Sequence, residues 1–99
     1  MPAPGGGWYS ALASAHGSAF ANDGTTDCGH VITRRSYGVA HAVLSCDAKI
    51  WIRYGDREVL TQVLAKAPPA PGHDFELTPA LARLLRLSGT QQIQWRYAT

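Results

Sequence analysis

From Lys49 to Tyr54 the chain reads Lys-Ile-Trp-Ile-Arg-Tyr, apolar and polar side chains in alternation. Ile50, Ile52 and Tyr54 share one face, and Lys49, Trp51 and Arg53 the other. A period of two predicts a half-buried strand. Gly55-Asp56 then makes a turn, and Glu58 to Ala65 runs back as the hairpin partner. The pattern returns near the end, where Ile93, Trp95 and Tyr97 alternate with Gln94 and Arg96 in a last strand. Trp8 to Ala15 is an apolar, strand-compatible segment ending at His16-Gly17, and Val39 to Leu44 is a short apolar run around His41.

Between these runs the pattern breaks. Residues 1–7 read as a flexible lead, and Ser18 to Thr26 as a polar, turn-rich loop. Ala67 to Asp74, APPAPGHD, holds three prolines and a glycine and predicts a rigid loop. One helix follows, with Thr78 as N-cap and Pro79 at its first position. Leu81, Leu84 and Leu85 form its buried stripe, and Gly89 ends it. The expectation is a mostly β chain with one short helix, a single domain over residues 8–99.

Composition narrows the function classes. Apolar residues make up 45% of the 99 and charged residues 16%, as in a compact chain. A net charge of +2 with scattered arginines argues against nucleic acid. No apolar stretch approaches the ~18 residues of a membrane span. MPAPGGGWYS lacks the charged and apolar regions of a signal peptide, and reads as a start placed after a removed leader. Cys28 and Cys46 are the only cysteines. They predict one disulfide and secreted ancestry, in the periplasm, cell envelope or outside. Closing that loop stabilises by about 3 kcal/mol in the chain-entropy picture. No oligomer interface stands out, so a monomer is expected.

Three segments carry a resemblance. They are TTDCGHVI from Thr25, GVAHAVLSCDAKI from Gly38, and VLAKAPPAPGHDFELTPALARLL from Val63. In order and spacing they resemble the RlpA-like double-psi β-barrel domain, related to expansins and barwin-type barrels, over Trp8 to Ala98. The resemblance implies a six-stranded barrel, secretion, a disulfide at Cys28 and Cys46, and an open groove for a peptidoglycan glycan strand. Active members are lytic transglycosylases that use an acidic residue. This chain departs from them there. The two positions expected to be acidic are Ala65 and His30, the Tyr of a Trp-Tyr-Gly element is His16 with Ala15 before it, and an Arg is His73. Only His41 stays. Protonating a glycosidic oxygen needs a carboxylic acid, so the native activity is expected to be lost.

The aligned positions place His16, His30 and His41 on one groove, with Ala15, Ala21, Ala65 and Ala67 clearing space. Three imidazoles with one open side suit a divalent transition metal, Zn²⁺ foremost, with Cu²⁺, Ni²⁺ or Co²⁺ as alternatives. The leading expectation is therefore a groove rebuilt, by engineering, as a three-histidine metal site. It would hydrolyse a small-molecule ester or amide through Lewis-acid or metal-hydroxide chemistry. His73 is expected at the rim, and Asp27 either orients an imidazole or is a loop residue. Lys66 stands in apolar company as a candidate Schiff-base nucleophile or a replacement for an Arg. Glu76 is expected to cap or contact backbone rather than restore an acid. Trp8, Trp51 and Trp95 could stack on sugars, with packing the stronger reading for Trp51 and Trp95. Two rivals stand beside the metal site. One is a catalytically inactive glycan-binding domain. The other is a metal-free enzyme with His41 or His30 as base, or Lys66 as nucleophile.

Overall fold

A computed structural model describes residues 7–15, 20, 24–66 and 74–98. The elements are β1 (Tyr9–Ser14), β2 (Gly24–Thr25), β3 (Val31–Ile32), β4 (Val39–His41), β5 (Lys49–Tyr54), β6 (Arg57–Lys66), β7 (Phe75–Leu77), α1 (Pro79–Leu85) and β8 (Thr90–Tyr97). Six strands close into a barrel in the order β1-β7-β4-β6-β5-β8, with β8 pairing back onto β1. Closure removes exposed sheet edges. Two pairings are parallel, β1 with β7 and β4 with β6, and the rest of the barrel is antiparallel. The chain is thus mostly β, a closed six-stranded barrel of double-psi type with one short helix.

The alternation seen in the sequence decides what faces inward. Ile50 and Ile52 are fully buried, while Lys49 and Trp51 face out. Gly55 has φ +62° and Asp56 does not share the positive sign, as in a two-residue turn with glycine first. The returning strand is longer than its sequence suggests, reaching Lys66. Val39, Val63, Phe75, Leu77, Leu81, Leu85 and Ile93 complete the core around the two isoleucines. Tyr97 departs from the expected inward alternation, because β8 ends there and the ring lies 48% exposed.

The helix starts where expected and stops earlier. Thr78 Oγ1 accepts from the Leu81 amide at 3.3 Å and from the Gly38 amide at 3.1 Å, and the Thr78 amide donates to the Gly38 carbonyl at 3.0 Å. That clasp fixes the helix to the entry of β4. Gly38 is required there, since a Cβ would stand 2.7 Å from the Gln62 carbonyl oxygen and collide with the Leu64 side chain. The stop is Arg86, left-handed at φ 57°, whose amide reaches back to the last turn. Gly89 instead precedes β8. The buried stripe is Leu81, Ala82 and Leu85, with Leu84 43% exposed.

A second, smaller core lies apart from the main one, made of Phe20, Ile32, Ala40, Leu64 and Ala65. Ala65 is 4% exposed within it. The alanine expected to open space around the histidines is therefore sealed beneath apolar neighbours. Ala15 packs against the main core, and Ala21 and Ala67 lie outside the described residues.

Candidate functional site

β4 runs between β6 and β7, and its last residue is His41. Register puts His41 beside Lys66 on one side and Phe75 on the other. The imidazole rests on the Phe75 ring at 4.6 Å between centroids, and Phe75 in turn packs edge-on to Trp95. The strand ends here because the chain turns over His41. Its Nδ1 accepts from the Val43 amide at 3.1 Å and the Leu44 amide at 3.2 Å.

Those two bonds fix the chemistry of the ring. Both amides are donors, so Nδ1 presents its lone pair, and in the neutral imidazole the proton sits on Nε2. Turning the ring over would set a carbon-bound hydrogen against both amides. Neutral His41 therefore offers Nε2–H, a hydrogen-bond donor. Metal coordination or proton abstraction at Nε2 needs a free lone pair, which this tautomer lacks. Partial burial holds the His41 pKa below its ordinary 6.5, Asp74 works against that, and Lys66 reinforces it.

This pKa has a consequence for stability. Well above pH 6.5 the ring is neutral folded or unfolded. As pH falls below 6.5 the unfolded chain binds the proton first, so stability falls until the folded ring also protonates. The melting temperature is expected to drop between pH 7 and 5. His41→Gln should lessen that drop relative to wild type, a difference read directly from paired thermal melts.

His30 meets a different partner. Its Nε2 donates to Asp47 Oδ1, in the turn beside Cys46 where Asp47 takes φ 66°. Cys28 and Cys46 form the expected disulfide, with Cα atoms 5.4 Å apart. Asp27 Oδ1 accepts from the Lys66 backbone amide at 2.9 Å, a loop-anchoring bond. Thr26 Oγ1 donates to the Leu64 carbonyl at 2.6 Å, anchoring the same turn to β6. Lys66 is exposed and its Nζ donates to the Val43 carbonyl at 3.3 Å. It lacks the desolvation that activates a Schiff-base lysine. Glu76 is buried in β7, paired in register with Ser14 on one side and Ala40 on the other.

The metal expectation is thus only partly placed. His16 and His73 lie outside the described residues. Among the described residues no three His, Cys, Asp or Glu side chains form a group able to hold a metal ion. Of the two described histidines, neutral His41 carries its proton on Nε2, and His30 gives Nε2 to Asp47, which makes Nδ1 its lone-pair nitrogen.

The arrangement instead builds a rigid pair of loops. Residues 26–30 and 43–47 are joined by the disulfide and by His30–Asp47, and both are tied to the end of β6. Val43 stands on them with 77% of its surface exposed, and Val31, next to His30, with 69%. Val43 belongs to the apolar run Val39 to Leu44, and it lies beyond the end of β4 at His41. Asp47 and Asp74 were also missed. Asp47 follows a cysteine before a strand, a position suited to an αL turn residue. Asp74 closes the proline loop, accepts from the Leu12 amide through Oδ2 at 3.1 Å, and donates its own amide to the Leu12 carbonyl at 2.8 Å.

No helix among the described residues is long and apolar enough to cross a membrane. No family model matches the chain, and no curated protein matches it in sequence. Among solved structures the chain is similar to the Streptomyces papain inhibitor, with TM-score 0.70 and 18% identity over 97% of this chain and 98% of that one. That likeness is one of fold.

Proposed function

We propose that this barrel is a secreted protein-binding module of inhibitor type, and that the clamped loop pair is its contact surface. One observation carries the reading. Val43 is 77% exposed while its backbone is held at both ends, its amide on His41 Nδ1 and its carbonyl under Lys66 Nζ. An apolar side chain presented on a fixed backbone loses little entropy when a partner covers it, and such anchors concentrate binding energy. The disulfide adds rigidity and suits an oxidising compartment. An ancestral RlpA-like groove fits this history, with the acid gone and its position packed as Ala65. The similar fold of a papain inhibitor supplies the first target class, a papain-type cysteine protease.

Titrating papain with the purified chain and following peptide hydrolysis tests this. Saturable inhibition is expected. Val43→Asp should weaken it by about tenfold or more, since a charge would be desolvated at the contact. Absence of both inhibition and complex formation would refute the reading for this protease class. The rival metal site predicts one-to-one Zn²⁺ binding by calorimetry that is lost in His30→Ala. The glycan-groove rival predicts co-sedimentation with peptidoglycan.

A further inference from the structure

A second constellation lies on the outer face of the barrel. β1 pairs with β8 so that Tyr9 faces Trp95, which brings the preceding Trp8 alongside Arg96. Arg96 faces Trp51 on β5, and Trp51 faces Leu60 on β6. One outward row across four strands thus reads Trp8, Arg96, Trp51, Leu60. In the next row Gln94, Arg53 and Glu58 stand side by side.

Trp8 holds both guanidinium groups. Arg53 Cζ lies 4.3 Å and Arg96 Cζ 4.8 Å from the centre of its ring, within the range of cation–π attraction. The two cations are thereby kept within about one Debye length of each other, roughly 10 Å at 0.1 M salt, where they repel. Arg53 spends Nε and Nη2 on Gln94 Oε1, at 2.8 and 2.6 Å. Arg96 makes no hydrogen bond or ion pair among the described residues. Among the described residues, Lys49, Arg53 and Arg96 face outward here with one carboxylate, Glu58, a surplus of positive charge on this face. A fixed pair of guanidinium forks with that surplus calls for an anion that takes bidentate bonds.

We infer that this face binds an acidic polysaccharide, a glycan chain bearing carboxylates. The carboxylates seat on the free edges of Arg53 and Arg96. A sugar ring lies on the half-buried Trp51 indole beside Leu60, which is 46% exposed. Gln94 and Gln62 flank that ring on the same face with amides able to meet hydroxyl groups. Trp8 acts here as the plate that positions the two arginines.

Polygalacturonate is the probe, with poly-L-glutamate as the acidic peptide control, in affinity electrophoresis at low and high salt. The wild-type chain should be retarded by polygalacturonate, less so as salt rises. Arg53→Gln with Arg96→Gln should weaken that binding by about tenfold or more. Trp51→Ala, or the milder Trp51→Leu, should weaken polygalacturonate binding while leaving any poly-L-glutamate binding unchanged. Val43→Asp should bind the polymer as wild type does, and the arginine variants should inhibit papain as wild type does. Retention of native melting temperatures secures the comparison. No retardation at low salt overturns the inference. So does equal binding of both polymers that is indifferent to Trp51, which would assign the face to acidic peptides.

Discussion

Phe75→Ala is expected to be the most damaging single substitution in the barrel, at about 3–5 kcal/mol. The ring is fully buried, packs edge-on to Trp95 at 5.6 Å, and carries the His41 imidazole. Its strand is only three residues long and joins β1 to β4, so the cavity opens where the closed sheet has least to fall back on. Total stabilities of small domains run about 5–15 kcal/mol. A chemical denaturation curve should therefore show a much lower midpoint, or no folded baseline at all. Phe75→Leu should keep the fold while loosening the His41 loop, and so should weaken inhibition more than stability. A midpoint for Phe75→Ala within error of wild type would mean that the ring does not support the barrel.

Replacing Cys28 and Cys46 together by serine should have the second largest effect. The bond spans 18 residues of chain, and opening such a loop costs about 3 kcal/mol, chiefly by freeing the unfolded state. For a domain of this size that corresponds to a fall in Tm of about 12–24 °C. The functional loss should be larger than the stability loss alone explains. Below the new Tm the barrel remains closed through its own ladders, yet among the described residues the turns at residues 26–30 and 43–47 are then joined to each other by the His30–Asp47 bond alone. Inhibition measured well below that Tm should therefore still be weakened. Full inhibition by the folded double variant would show that the clamp does not matter for binding.

Much of this architecture is legible in the residues. The Lys49–Tyr54 alternation, the Gly55-Asp56 turn and the Thr78-Pro79 cap each encode their geometry locally. What escaped the sequence depends on tertiary context. Phe75–Leu77 is too short for a period and contains a buried Glu76, so it does not read as a strand. Arg86 ends the helix in a left-handed conformation for which arginine gives no signal, while Gly89 offers a false one. For the site, the sequence marked His30, His41, Asp27, Lys66 and the disulfide as neighbours of interest. Their roles follow from hydrogen bonds that composition cannot reveal. Whether His41 is a donor or a base depends on two amides two and three residues further on. Likewise the contact of Asp27 with the Lys66 backbone joins residues far apart in the chain.

The tautomer of His41 tests the central claim most directly. Long-range ¹H–¹⁵N correlation of the imidazole at neutral pH should show a protonated Nε2 and an unprotonated Nδ1, unchanged when Zn²⁺ is added. A protonated Nδ1, with an Nε2 resonance that moves on addition of Zn²⁺, would contradict the binding-surface account and restore this histidine as a metal ligand.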